Sequence, residues 1–194
     1  MKILFAFSLI ALQLLSSAQK LTYGIYLFGG RIGESVIDRT VVNDSVTHYT
    51  LHSSSEAHIF FSVRKIQLHY DVYFKNGFLF SSYSKHVRND EVQLTNISLD
   101  GNHYNVTING KNLCITGGLI NCSTIRLFYN EPCSTDKMLS ERLGEFRQVR
   151  KTGEGTYEAD MSEGITYIYR YKNGKLIELE MKKGFLGSVY LRLE

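Results

Sequence analysis

Residues 65–75 alternate without a break. Ile66, Leu68, Tyr70, Val72 and Phe74 fall on one side, and Lys65, Gln67, His69, Asp71, Tyr73 and Lys75 on the other. Successive side chains of a strand point to opposite faces, so a period of two marks a strand with one face buried. The run ends at Asn76-Gly77. Both central residues of a type I′ turn need positive φ, which Asn and Gly tolerate, so the chain is expected to double back there. The same grammar returns late in the sequence. Ile165, Tyr167, Tyr169 and Tyr171 align ahead of Asn173-Gly174, and Ile177, Leu179 and Met181 align after it. Asp100-Gly101 and Asn109-Gly110 supply further turns. Strands are predicted over 20–28, 34–42, 45–52, 56–63, 65–75, 78–87, 91–99, 102–108, 111–115, 145–151, 155–160, 165–172 and 175–182, with Val189, Leu191 and Leu193 closing on one face. The repeated Lys-Asn-Gly turns read as shared hairpin grammar rather than a duplicated domain. Many strands joined by tight turns must dispose of two sheet edges, and successive hairpins favour curling over two packed sheets. The expected fold is all-β: a curled antiparallel meander forming a barrel or half-barrel.

The pattern breaks between 116 and 144. Ser134 or Thr135 can cap a helix, Met138, Leu139, Arg142 and Leu143 share a helical face, and Gly144 can end it. One short helical insertion is therefore expected near 134–143, placed to plug the mouth of the curl or cover its concave side.

The chain opens MKILFAFSLIALQLLSSAQK. A basic residue, an apolar run to Leu15 and the small residues Ser16-Ser17-Ala18 compose a secretory signal, with cleavage expected after Ala18. The run is shorter than the roughly 20 residues a membrane-spanning helix needs. Residues 19–194 then form one domain, exported to the periplasm or cell envelope or secreted outright. Net charge is +3, too small and too scattered to suggest nucleic acid. Export permits disulfides, and Cys114 and Cys122 bracket a Gly-Gly pair that could bring them together, leaving Cys133 odd. No CxxC pair suggests zinc.

Little in the sequence announces chemistry. His48 and His52 share a strand face with His58 and Glu56 beyond, but positions i and i+4 on a strand are separated by about 13 Å, too far for one metal. Scattered surface histidines are the better reading, and neither metal nor cofactor is expected. Ser53-Ser54-Ser55 sits beside His52, yet no GxSxG elbow occurs, and Gly153-Glu154-Gly155 lacks the setting of a phosphate loop. Asn43, Asn96, Asn105 and Asn121 begin N-x-S/T triplets that read as chance in an Asn/Ser/Thr-rich β protein. Glu141, Arg142 and Glu145 lie in the segment that escapes the hairpin pattern and are candidates for partner recognition. Tyr70, Phe74, Tyr167 and Tyr169 either pack a core or line an apolar cavity with a polar handle.

Four separated stretches, YGIYLFGGRIGES, HSSSEAHIFFSVRKIQLHYDVYFKNGFLFSS, SERLGEF and KKGFLGSVYLRLE, resemble a family of exported antiparallel β proteins from Bacteroidetes-type bacteria. The resemblance implies a fold similar to lipocalin-like or lipoprotein-carrier open barrels with an inner cavity. It implies no catalytic residue, and the cysteines fall outside its pattern. The leading expectation is a non-enzymatic envelope protein that holds a small apolar ligand, lipid or lipidated partner in a β cavity. A protein-docking module of the envelope without a cavity is the alternative, and an unrecognised hydrolase the third.

Overall fold

The computed structural model describes residues 18–59, 61–116, 118–132, 137–184 and 187–194. Fourteen strands follow in order: β1 (Ala18–Leu27), β2 (Gly30–Asn43), β3 (Val46–Ile59), β4 (Ser62–Lys75), β5 (Phe78–Arg88), β6 (Glu91–Asp100), β7 (His103–Ile108), β8 (Lys111–Thr116), β9 (Lys137–Ser140), β10 (Glu145–Gly153), β11 (Thr156–Asp160), β12 (Ile165–Lys172), β13 (Lys175–Lys183) and β14 (Ser188–Leu193). They make one antiparallel sheet in the order β8-β7-β6-β5-β4-β3-β2-β1-β14-β13-β12-β11-β10-β9. The first and last strands meet at its centre, with Tyr23 opposite Leu193 and Ile25 opposite Leu191. The Asn-Gly turns take the positive φ expected of them, 52° and 81° at Asn76-Gly77 and 52° and 73° at Asn173-Gly174.

The sheet does not close on itself, and its ends are β8 and β9. Strands in a sheet are about 4.8 Å apart, so a flat sheet of this size would hold its edges about 60 Å apart. The connection from β8 to β9, which contains a 3₁₀ turn at Arg126–Phe128, is bonded at once to strands far apart in the sheet order: Tyr171 on β12 donates to the Leu127 carbonyl, and Leu79 on β5 to the Ile120 carbonyl. The sheet is instead curled around it. Tyr23, Ile37, Tyr49, Leu51, Val72 and Phe74 from one wall and Val149, Tyr157, Tyr169, Leu179 and Leu191 from the other join Ile120, Ile125, Leu127 and Phe128 of the connection in one core.

The connection has little regular structure, so its peptide groups need other partners. Tyrosine hydroxyls on the concave face supply several. Tyr171 Oη donates to the Leu127 carbonyl at 2.6 Å. Tyr104 Oη accepts from Ile120 N at 3.1 Å and donates to the Leu79 carbonyl at 2.9 Å, while Leu79 N donates to the Ile120 carbonyl at 2.7 Å. Tyr129, on the connection, donates from its hydroxyl toward the carbonyls of Gln19 and Ile37. The first Lys-Asn-Gly turn also anchors it. Arg126 Nη1 donates to the Gly77 carbonyl at 2.9 Å and its guanidinium lies 4.9 Å from the centre of the Phe74 ring.

The described part of the expected helix, 137–143, is strand β9 followed by a turn. Met138 and Leu139 are both fully buried. β9 is covered on both faces, so its consecutive apolar residues lose the alternation of an exposed strand and imitate a helical stripe. Its outer edge is occupied as well: Leu139 N donates to the Cys122 carbonyl and Thr124 N to the Leu139 carbonyl, both at 2.9 Å. The expected break near 53–55 is also absent, because β3 runs through all three serines. Cys114 is a free, exposed thiol facing outward on β8, whereas Cys122 packs against the core, so the two are not joined. The expected signal at 1–18, Ala18 apart, lies outside the described residues, as do Cys133, Ser134 and Thr135.

Replacing Tyr104 with Phe strands the Ile120 amide without a partner in a buried site, at a cost of about 1–3 kcal/mol. Tyr167→Phe, whose hydroxyl bonds nothing among the described residues, is expected to shift stability by under about 0.5 kcal/mol. Urea unfolding of the two variants measures the difference.

Candidate functional site

The concave face is covered unevenly. Toward the end that carries Phe74, the connection fills it. Toward the other end Leu68, Leu143, Ile165, Tyr167, Met181 and Val189 pack on the core yet stay half exposed. Their registers place them together: Met181 is opposite both Tyr167 and Val189. The result is an apolar mouth at one end of the curl.

The turn 141–144 between β9 and β10 forms its floor. Ser84 Oγ donates to the Glu141 carbonyl at 3.1 Å, and Gln93 Nε2 and Thr95 Oγ1 each donate to the Arg142 carbonyl at 2.8 Å. Gly144 has a φ of 62°, and a Cβ there would stand 2.6 Å from Val106 Cγ1, so only glycine lets the turn lie this close to β7.

Glu141 is 0 % exposed. Its carboxyl accepts from Ile125 N at 3.2 Å and from Thr124 Oγ1. It therefore ties β9 to the start of the 3₁₀ turn from inside the protein, and it does not reach a surface partner. Burial pushes its carboxyl above the usual range, against hydrogen bonds that pull the other way.

Arg142 is half exposed, and its guanidinium makes no hydrogen bond or ion pair among the described residues. It stands close enough to Tyr70 and Tyr167 to favour ionisation of both phenols, although burial dominates and raises each. Tyr70 also feels the Glu141 carboxyl and Tyr167. These two tyrosines lie on β4 and β12, far apart along the sheet, and the curl brings them together. Neither hydroxyl has a hydrogen-bond partner among the described residues. A cation and two phenols, none with a side-chain hydrogen bond among the described residues, thus lie within electrostatic reach of one another at the base of an apolar mouth.

Of the residues singled out from sequence, the structure therefore unites Tyr70, Tyr167 and Arg142, with Glu141 beneath them. Tyr169 is buried behind, its hydroxyl directed at Met138 Sδ at 3.8 Å. Phe74 is buried at the far end, edge-on to Tyr49 with ring centres 5.6 Å apart. Glu145 is exposed and paired with Arg147, outside the mouth. Sequence reasoning missed Leu68, Leu143 and Met181 as a set, because they come from separate strands that only the curl assembles. No helix among the described residues is long and apolar enough to cross a membrane.

Glu141→Gln gives a test of the floor. A carboxyl raised in the folded state binds its proton more tightly there than in the unfolded chain. Stability is therefore greatest below the usual carboxylate range and falls as pH rises toward the folded value. The variant is expected to lose this part of the pH dependence and to match or exceed the native protein at neutral pH, whereas Glu141→Ala loses stability at every pH. Urea midpoints measured between pH 4 and 8 distinguish these outcomes.

No curated protein and no solved structure matches the chain. One family model does, over residues 23–194, nearly the whole described sheet, and the chain belongs to the family described as Domain of unknown function (DUF6134).

Proposed function

We propose that the protein is a non-enzymatic binding protein of the cell envelope whose concave face takes an anionic amphiphile through the open mouth. The observation that carries this reading is the Arg142 guanidinium, without a partner among the described residues and within electrostatic reach of the Tyr70 and Tyr167 phenols, under a ring of half-exposed apolar side chains. A cation with two phenolic donors suits a carboxylate or phosphate head, since charge-assisted hydrogen bonds are the strong ones. The apolar ring suits the first methylenes of a chain, each worth about 0.8 kcal/mol when buried. Specificity resides in the head, and affinity comes from desolvation of the tail.

The deeper half of the concave face is held by the protein's own connection, so Phe74 and Tyr169 are packing residues rather than lining in this state. Export under the 1–18 signal, an origin in Bacteroidetes-type bacteria and a likeness to lipid-carrying open barrels all agree with this reading and belong to the proposal. A docking role has one observation in its favour. β8 is a sheet end, and Leu113 on it is 57 % exposed.

The chain has no Trp, so a fluorescent polyene fatty acid can be followed without background. The native protein is expected to bind it and to release it to oleate. Arg142→Gln is expected to weaken oleate at least tenfold while leaving methyl oleate, which has no charge to lose, unchanged. Equal oleate affinity in native and variant protein, or no binding at all, overturns the proposal.

A further inference from the structure

The outer face of the sheet carries a different feature. Across β2–β5 it forms an open trough of about 720 Å³, lined by side chains that include Glu34, His52, Gln67, His69, Tyr83 and Lys85. Register explains the grouping: His52 is directly opposite His69, with Val36 and Lys85 as the next neighbours on either side.

His52 Nδ1 and His69 Nδ1 are 3.2 Å apart. Two imidazole nitrogens bound to one tetrahedral cation at about 2.0–2.1 Å each are separated by about 3.3–3.4 Å. The pair already has that spacing. The rings are tilted by 38° with centres 4.5 Å apart, so they are not stacked flat against each other. Turning both lone pairs toward a common point needs rotation about χ2, a broad and soft torsion for histidine. Both residues belong to long, central, fully paired strands, which hold the spacing without an ordered loop.

We propose that His52 and His69 are a bidentate site for a late first-row divalent cation, Cu²⁺, Ni²⁺ or Zn²⁺, with the remaining positions left to water or a small exogenous ligand in the trough. No group of three or more His, Cys, Asp or Glu residues among the described residues is arranged to hold a metal. The site is therefore open, with two protein ligands. Such a site follows the general order of affinity that favours Cu²⁺.

The surroundings fit. Burial and the neighbouring His52 lower the pKa of the His69 imidazole, with Asp71 opposing and Lys85 acting in the same direction. Glu34, its carboxylate paired with Arg31 at 3.1 Å, stands at the rim, and Tyr83 meets the His69 ring edge-on at 6.0 Å. His48, on the same face of β3, is already engaged: its Nε2 lies 2.8 Å from Asp71 Oδ1 and its ring stacks on Tyr73 at 4.2 Å. It is a control rather than a ligand.

Ni²⁺ is the probe to use, because the exposed Cys114 thiol does not reduce it. Calorimetric titration of the full chain at pH 7.5 is expected to show one more equivalent bound than in the His52→Ala/His69→Ala double variant. Each single variant is expected to weaken that equivalent at least tenfold, and His48→Ala to leave it within twofold. Far-UV circular dichroism and thermal midpoints check that the variants fold, as expected for substitutions on an outer sheet face. Equal nickel binding by native protein and double variant overturns the site, as does an equal loss with His48→Ala.

Discussion

Everything in this structure depends on satisfying the peptide groups of a segment that has no ladder of its own. Ile120, Ile125, Leu127 and Phe128 bury this segment inside the curl, where an unpaired amide costs about as much as a lost hydrogen bond. Tyr104 and Tyr171 on the sheet, Tyr129 on the segment, and the Glu141 carboxyl together convert an irregular chain into a packed core. The richness in tyrosine is explained by that requirement. Phenylalanine would fill the same volume but leave carbonyls and amides unmet, and 13 Tyr against 11 Phe is the composition of a core that must also donate.

The same inner segment decides which part of the concave face stays open. It fills one end of the concave face and leaves the other end partly open, so the mouth is what remains after self-filling. At that point Arg142 is placed by its backbone, which Gln93 and Thr95 grip through the carbonyl, while its side chain makes no hydrogen bond or ion pair among the described residues. That combination, a firmly placed backbone and a side chain without a partner among the described residues, is what the proposed head-group contact rests on. The outer face obeys different physics: histidines brought together across β3 and β4 by register owe nothing to the core.

Most of the sheet was legible in the sequence because its signals are local. Alternation at 65–75 and the Asn-Gly turns need no distant partner to be read, and they put Tyr70 and Tyr167 on the inner face. What could not be read was whatever the curl brings from afar. Met138 and Leu139 imitated a helix because β9 is covered on both faces, a fact about its neighbours rather than itself. Glu141 looked like a surface acid since its partners, Thr124 and Ile125, are not adjacent in sequence. Along β3, the spacing of His48 and His52 forbids a shared cation. The productive direction is across strands, and register is invisible until pairing is known.

Amide hydrogen exchange of the inner segment tests the central claim most directly. Ile120, Thr124 and Ile125 donate to Tyr104, to the Leu139 carbonyl and to Glu141 respectively. Their protons should be protected to the same degree as those of the central strands β1 and β3, and be released only with global unfolding. Exchange of these three amides as fast as the β8 edge would mean that the segment does not reside inside the curl, and the account of both core and mouth would be wrong.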